Sequence, residues 1–130
     1  MGRICLIGEA DPFIARLLQR FAAESGLQAL RADDGEGVLE LVRRYSPTVI
    51  ILEPELPGTV RGWEAAEILA NDPTLCHIPV IMFTSSRKEE DVVASYKHGA
   101  ASFITKPVTF DKLLDTIRTL DLYWSLSELP

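Results

Sequence analysis

Thr48-Val-Ile-Ile-Leu-Glu53-Pro-Glu-Leu-Pro57-Gly58 is the stretch that decides the fold. Val49 to Leu52 are four consecutive apolar residues, three of them β-branched, and such a run reads as a strand buried on both faces. It ends abruptly at a carboxylate, Glu53, and Pro54 and Pro57 deny the sheet any continuation. Ligands of an open parallel sheet sit beyond the carboxyl ends of its strands, so Glu53 stands where chemistry is expected.

The same alternation runs outward in both directions. Ile4 to Ile7 is a short apolar strand, and Asp11 followed by Pro12 is a helix start, with Asp as cap and Pro at the first helical position. That helix presents Phe13, Ile14, Leu17, Leu18 and Phe21 on one predicted inner face and stops at Gly26. Gln28 to Arg31 is a second strand, and Asp33-Asp34-Gly35 leads into a helix with Val38, Leu39 and Val42 inward. Beyond Glu53, Gly58 to Gly62 reads as a loop and Trp63 to Ala70 as a helix ended by Asn71-Asp72-Pro73. Pro79 to Phe83 is a fourth strand, Glu89 to His98 a helix closed by Gly99, and Ser102 to Ile104 a fifth strand. Phe110, Leu113, Leu114, Ile117 and Leu120 trace a last amphipathic helix. Five strands alternating with five helices predict an α/β domain, a parallel sheet with helices on both faces.

Composition bounds the function. The 130 residues carry 47% apolar and 25% charged side chains, as expected for one globular domain with its own core. The net charge of −6, with no basic cluster, argues against nucleic-acid binding. Cys5 and Cys76 form no C-x-x-C pair and read as reduced thiols. No apolar run reaches membrane-spanning length, and the chain opens into a strand rather than a signal peptide, so the expected compartment is the cytoplasm. His77 and His98 have no neighbour at metal-ligand spacing. The glycines form neither a dinucleotide fingerprint nor a P-loop.

A doubly wound sheet gathers the residues after strands one, three, four and five on one rim. Here these are Glu9, Glu53, Thr84 with Ser85, and Lys106 before Pro107. Two carboxylates, a hydroxyl and an ammonium are equipment for a divalent cation and a phosphoryl group.

Five segments carry a family resemblance: Gly8-Glu-Ala-Asp-Pro12, Ala32-Asp-Asp-Gly35, Glu53-Pro-Glu-Leu-Pro57, Phe83-Thr-Ser85 and Phe103-Ile-Thr-Lys-Pro107. In this order and spacing the chain resembles a receiver domain of the bacterial two-component response regulators. Phe83 to Tyr96, with the tail Tyr123-Trp124…Leu129-Pro130, is similar to the stand-alone receivers that partner phytochrome-type histidine kinases. The resemblance implies a flavodoxin-like sheet of order 2-1-3-4-5 and transfer of a phosphoryl group from a kinase histidine to an aspartate after strand three. It also implies phosphoryl-pocket roles for Thr84 and Lys106, and an aromatic switch at Phe103. A buried core aromatic is the simpler reading of Phe103.

The pattern is broken where the chemistry would be. Glu9 matches the first acid of the acidic pair, but Ala10 stands at the second, a direct metal ligand in the family. Glu53 replaces the phospho-accepting aspartate, and Gly62 falls nine residues past Glu53, one more than the family usually shows. The extra methylene moves the carboxylate roughly 1.5 Å outward, and a misplacement of about 1 Å can cost on the order of 10²-fold in rate. These departures predict an atypical, pseudo-receiver protein that works through protein contacts without conventional phosphorylation. No cofactor is expected; Mg2+ would bind only if Glu9, Glu53 and the Glu55 backbone still form a competent pocket. Glu53 either pairs with Lys106 in one resting conformation or partly imitates a phosphorylated residue, with less charge than the roughly −1.5 to −2 of a phosphate. Two rivals remain: a phosphoacceptor still modified in the Glu53 pocket, and a small metabolic enzyme.

Two further regions bear on partners. Trp63 reads equally as core or as a wall beside the rim. The domain is expected to span residues 1–120, with 121–130 an apolar extension. Leu122, Tyr123, Trp124, Leu126 and Leu129 there read as a helix extension over the domain's own surface or as a homodimer contact, the reading preferred here. The expected partner is a histidine kinase or another signalling protein.

Overall fold

The computed structural model describes residues 3–84, Lys97, Gly99 and residues 102–105. The elements are β1 (Ile4–Gly8), α1 (Pro12–Glu24), β2 (Gln28–Ala32), α2 (Gly35–Tyr45), β3 (Val49–Leu52), α3 (Gly62–Ala70), β4 (Val80–Thr84) and β5 (Ser102–Thr105). All strands are parallel and lie in the order β2-β1-β3-β4-β5, the sheet expected from the sequence. Apart from Lys97, the expected helices over Glu89–His98 and Phe110–Leu120, together with Lys106 and the tail, lie outside the described residues.

Alternate strand residues feed two cores, as the two-residue period of a strand requires. Leu6, Ile50, Leu52, Val80 and Met82 pack with Val38, Leu39 and Val42 of α2 and Ala65, Ala66 and Leu69 of α3. Cys5, Ile7, Val49, Ile51, Ile81 and Phe83 pack on the other face with Leu18, Phe21 and Ala22 of α1. All four residues of β3 are buried, which is why its sequence shows no polar alternation. Burial also pushes the Cys5 thiol up to about 12, keeping it protonated at neutral pH.

The inner face of α1 differs from the expected one. Phe13 and Leu17 are 70% and 52% exposed, whereas Ala15, Leu18, Phe21 and Ala22 are buried. Apolar residues wrap more than half of this helix, so their spacing defines a broad stripe, and the small Ala15 and Ala22 complete the buried face with Leu18 and Phe21. Boundaries shift slightly as well. α3 begins at Gly62 rather than Trp63, and β4 begins at Val80 and takes in Thr84.

Candidate functional site

The register of the sheet assembles the rim. Gly8 is level with Leu52, so Glu9 and Glu53 leave neighbouring strands side by side, and the Glu53 N–H donates to the Gly8 carbonyl at 2.9 Å. Leu52 is level with Met82, and Thr84 continues β4 two residues further toward the same rim. Thr84 is in turn level with Thr105, the residue before Lys106 in sequence. The backbone thus brings Glu9, Glu53 and Thr84 together. The side chains of Thr84 and Phe103, and all of Lys106, lie outside the described residues.

Glu9 is the one buried polar or charged residue among those described, at 4% exposure. Its N–H donates to the Ala32 carbonyl at 3.1 Å, and its carboxylate accepts from the Asp11 N–H at 3.3 Å. Ala10 is exposed and presents no donor atom beyond its backbone. Asp11 does not take its place. The Asp11 carboxylate caps α1, accepting from the N–H groups of Phe13 at 2.9 Å and Ile14 at 3.4 Å. Pro12, with no N–H to satisfy, sits at the start of the helix, so the local sequence dictates this use of Asp11.

Glu53 is half-buried and folds back on its own loop, its carboxylate accepting from the Glu55 N–H at 3.2 Å. The loop is pinned beneath by Leu56, which is fully buried. It closes over the strand end at Gly62, where a Cβ would overlap the Glu53 carbonyl. The Trp63 N–H then donates to the Pro54 carbonyl at 3.1 Å. Trp63 itself is 36% exposed beside this loop, so it is not a core residue. Glu55 points outward to Arg61 at 3.3 Å in an exposed pair of small energetic weight.

For a divalent cation the described rim offers the carboxylates of Glu9 and Glu53 and the backbone of Glu55. Each carboxylate already accepts one backbone N–H, and position 10 adds nothing. Among the described residues no cluster of three or more His, Cys, Asp or Glu side chains is placed to hold a metal. The side-chain donors of the described rim are thus the two carboxylates of Glu9 and Glu53.

Two side chains that no motif singles out also reach the rim loops. The Arg31 guanidinium donates to the carbonyls of Glu9 and Ala10, each at 3.2 Å. The Glu36 carboxylate accepts from the Val60 N–H at 2.6 Å, across 24 residues of sequence. Neither contact follows a spacing or a period; only the tertiary fold pairs these groups.

A doubly wound parallel α/β domain with acidic residues after β1 and β3 belongs to the class that binds at its strand-end rim. Comparison with known proteins narrows that class. Residues 5–118 match the response regulator receiver domain, and the chain belongs to that family. Protein PilH of Pseudomonas aeruginosa is 32% identical over 92% of this chain and 98% of its own. The polar-differentiation response regulator DivK of Brucella anthropi is 29% identical over 92% of this chain and 96% of its own. Among solved structures, the receiver domain of a signal transduction histidine kinase from Syntrophus aciditrophicus superposes with a TM-score of 0.83 at 31% identity, covering 92% of this chain and 89% of that one. The chemotaxis protein CheY4 of Vibrio cholerae gives 0.84 at 20% identity, over 92% and 99% of the two chains, a likeness of fold alone. The protein is thus a signalling domain of two-component systems and not an enzyme, which removes the metabolic reading.

Proposed function

We propose that this receiver signals through protein contacts, without conventional phosphorylation. The observation that carries this reading is the β1–α1 loop: Ala10 has replaced one acid, and the neighbouring Asp11 carboxylate is committed to capping α1. Mg2+ in such a site relies on one or two carboxylates plus the phosphoryl oxygens. Here Glu53 fills the acceptor position with a longer side chain that turns onto Glu55. With ligand set and nucleophile both altered, the rim works as a shaped surface. The turn onto Glu55 also favours a fixed resting conformation over imitation of a phosphate, since one carboxylate oxygen is already engaged within its own loop. A histidine kinase or another signalling protein is the partner. The preferred assembly is a homodimer through the last helix and the tail residues Leu122, Tyr123, Trp124, Leu126 and Leu129, in the cytoplasm, with residues 1–120 forming the receiver.

One observation favours the rival phosphoacceptor reading. Glu9 is buried directly beside Glu53, where an acid would hold a metal. Titration with Mg2+ and beryllofluoride separates the two. Trp63 borders the rim loop and reports on it once the second tryptophan is removed by Trp124→Phe. The emission of Trp63 is expected to stay flat through millimolar Mg2+ with beryllofluoride. A saturable change would establish the phosphoacceptor instead.

A further inference from the structure

Both rim loops are braced from one corner of the fold, the turn from β2 into α2. On one side Arg31, next to the last residue of β2, places its planar fork on two successive carbonyls, Glu9 and Ala10. The fork geometry is particular to arginine; a lysine ammonium cannot reproduce it. The same corner receives the Glu9 N–H on the Ala32 carbonyl at 3.1 Å.

On the other side, α2 grips the longer β3–α3 loop in several places. Glu36 accepts from the Val60 N–H, and the Gly35 N–H donates to the Pro57 carbonyl at 3.4 Å. A Cβ at Gly35 would overlap the Val60 carbonyl, so the loop lies directly on the start of the helix. Gly58 has a φ of +109°, which an L side chain rarely adopts, and a Cβ there would sit 2.6 Å from a Glu36 carboxylate oxygen. The loop is therefore seated on Gly35 and Glu36, with Gly58 at its close approach to the Glu36 carboxylate. From Val60 the brace passes through Arg61, whose N–H donates to Glu64 at 3.0 Å, to Gly62 against the Glu53 carbonyl.

We infer that Arg31 and Glu36 are positioning residues of the rim. They hold the β1–α1 and β3–α3 loops at the spacing that keeps Glu9 and Glu53 side by side, so the fold's own charges set the shape that the proposed partner reads. The inference rests on the rim being the working surface. Both contacts are charge-assisted, and the one to Glu36 is short at 2.6 Å, as such hydrogen bonds are. Glu36 reaches the rim through the loop backbone and Arg31 through the carbonyls of Glu9 and Ala10, so each acts on a carboxylate through the main chain.

The test uses the full chain and NMR. In Glu36→Ala the Val60 amide is expected to exchange about tenfold faster, the loss of one net hydrogen bond. The side-chain carboxylate resonance of Glu53 is expected to move with it. Glu36→Gln keeps an acceptor oxygen and is expected to restore both. In Arg31→Ala the Asp11 amide, which donates to the Glu9 carboxylate, is expected to lose protection and the Glu9 carboxylate resonance to shift. Thermal unfolding of each variant separates loop release from loss of the fold. Unchanged Glu9 and Glu53 resonances in folded Arg31→Ala and Glu36→Ala proteins would overturn the inference, even with faster Val60 exchange. A response of the parent protein to Mg2+ and beryllofluoride would remove the phosphorylation-independent reading and leave these measurements standing.

Discussion

The interior of the sheet and its carboxyl rim obey different rules in this chain. In the interior, β1, β3 and β4 keep buried apolar residues at every position the two cores need. At the rim, Ala10, Glu53 and the loop ending at Gly62, the positions on which the proposed reading turns, are held instead by single hydrogen bonds and close backbone approaches. Ala10 and Glu53 lie outside both apolar cores, whereas the loop reaches one of them through Leu56 and Val60. Ala10 is exposed, Glu53 keeps its backbone bond to Gly8, and the far part of the loop lies against the start of α2. On the proposed reading, fold and chemistry are separable, and a sequence holds one while it changes the other.

Substitutions in the two regions put that contrast at risk. The interior is expected to respond most strongly. Ile51→Ala empties a position with 1% exposure between β1 and β4. It is expected to lower stability by about 2–5 kcal/mol, read by denaturant unfolding. The rim is expected to respond less. Asp11→Ala removes the cap of α1 and is expected to cost about 1 kcal/mol, whereas Asp11→Asn, an equally good cap, is expected to be silent. A large effect of Asp11→Asn in any partner-binding or metal assay would show that the Asp11 charge works in the pocket, and the division between cap and site would fail.

The fold was legible because its signals are local. Strand β3 announces itself by four apolar residues bounded by Pro54, and the starts of α1 and α2 by Asp11-Pro12 and Asp34-Gly35. The inner face of α1 was less legible. Phe13 and Leu17 carry the apolar signal but face out, while the small Ala15 and Ala22 are fully buried. Hydrophobic spacing weighs large side chains, and close helix–sheet packing selects small ones.

The site divides the same way. Register brings Glu9, Glu53 and Thr84 to one rim, and the alternation of strands and helices foretold it. The use of Asp11 as a cap also followed from its neighbour Pro12. The braces from Arg31 and Glu36 did not, because each joins residues more than twenty positions apart through a single side chain on an exposed surface. No periodicity encodes such a contact. The tight approach of Gly35 to Val60 was likewise invisible, since a glycine after two aspartates already has a reason to be there as a turn.

If Ala10 and Glu53 together silence phosphoryl acceptance in an intact receiver fold, restoring both acids must restore it. The decisive comparison sets the parent chain beside the double variant Ala10→Asp, Glu53→Asp, each incubated with acetyl phosphate and Mg2+ and read by intact mass. No added phosphoryl group is expected on the parent, and a labile one is expected on the variant. A parent chain that gains the same mass at Glu53, at the rate of the variant, would contradict this reading of the rim.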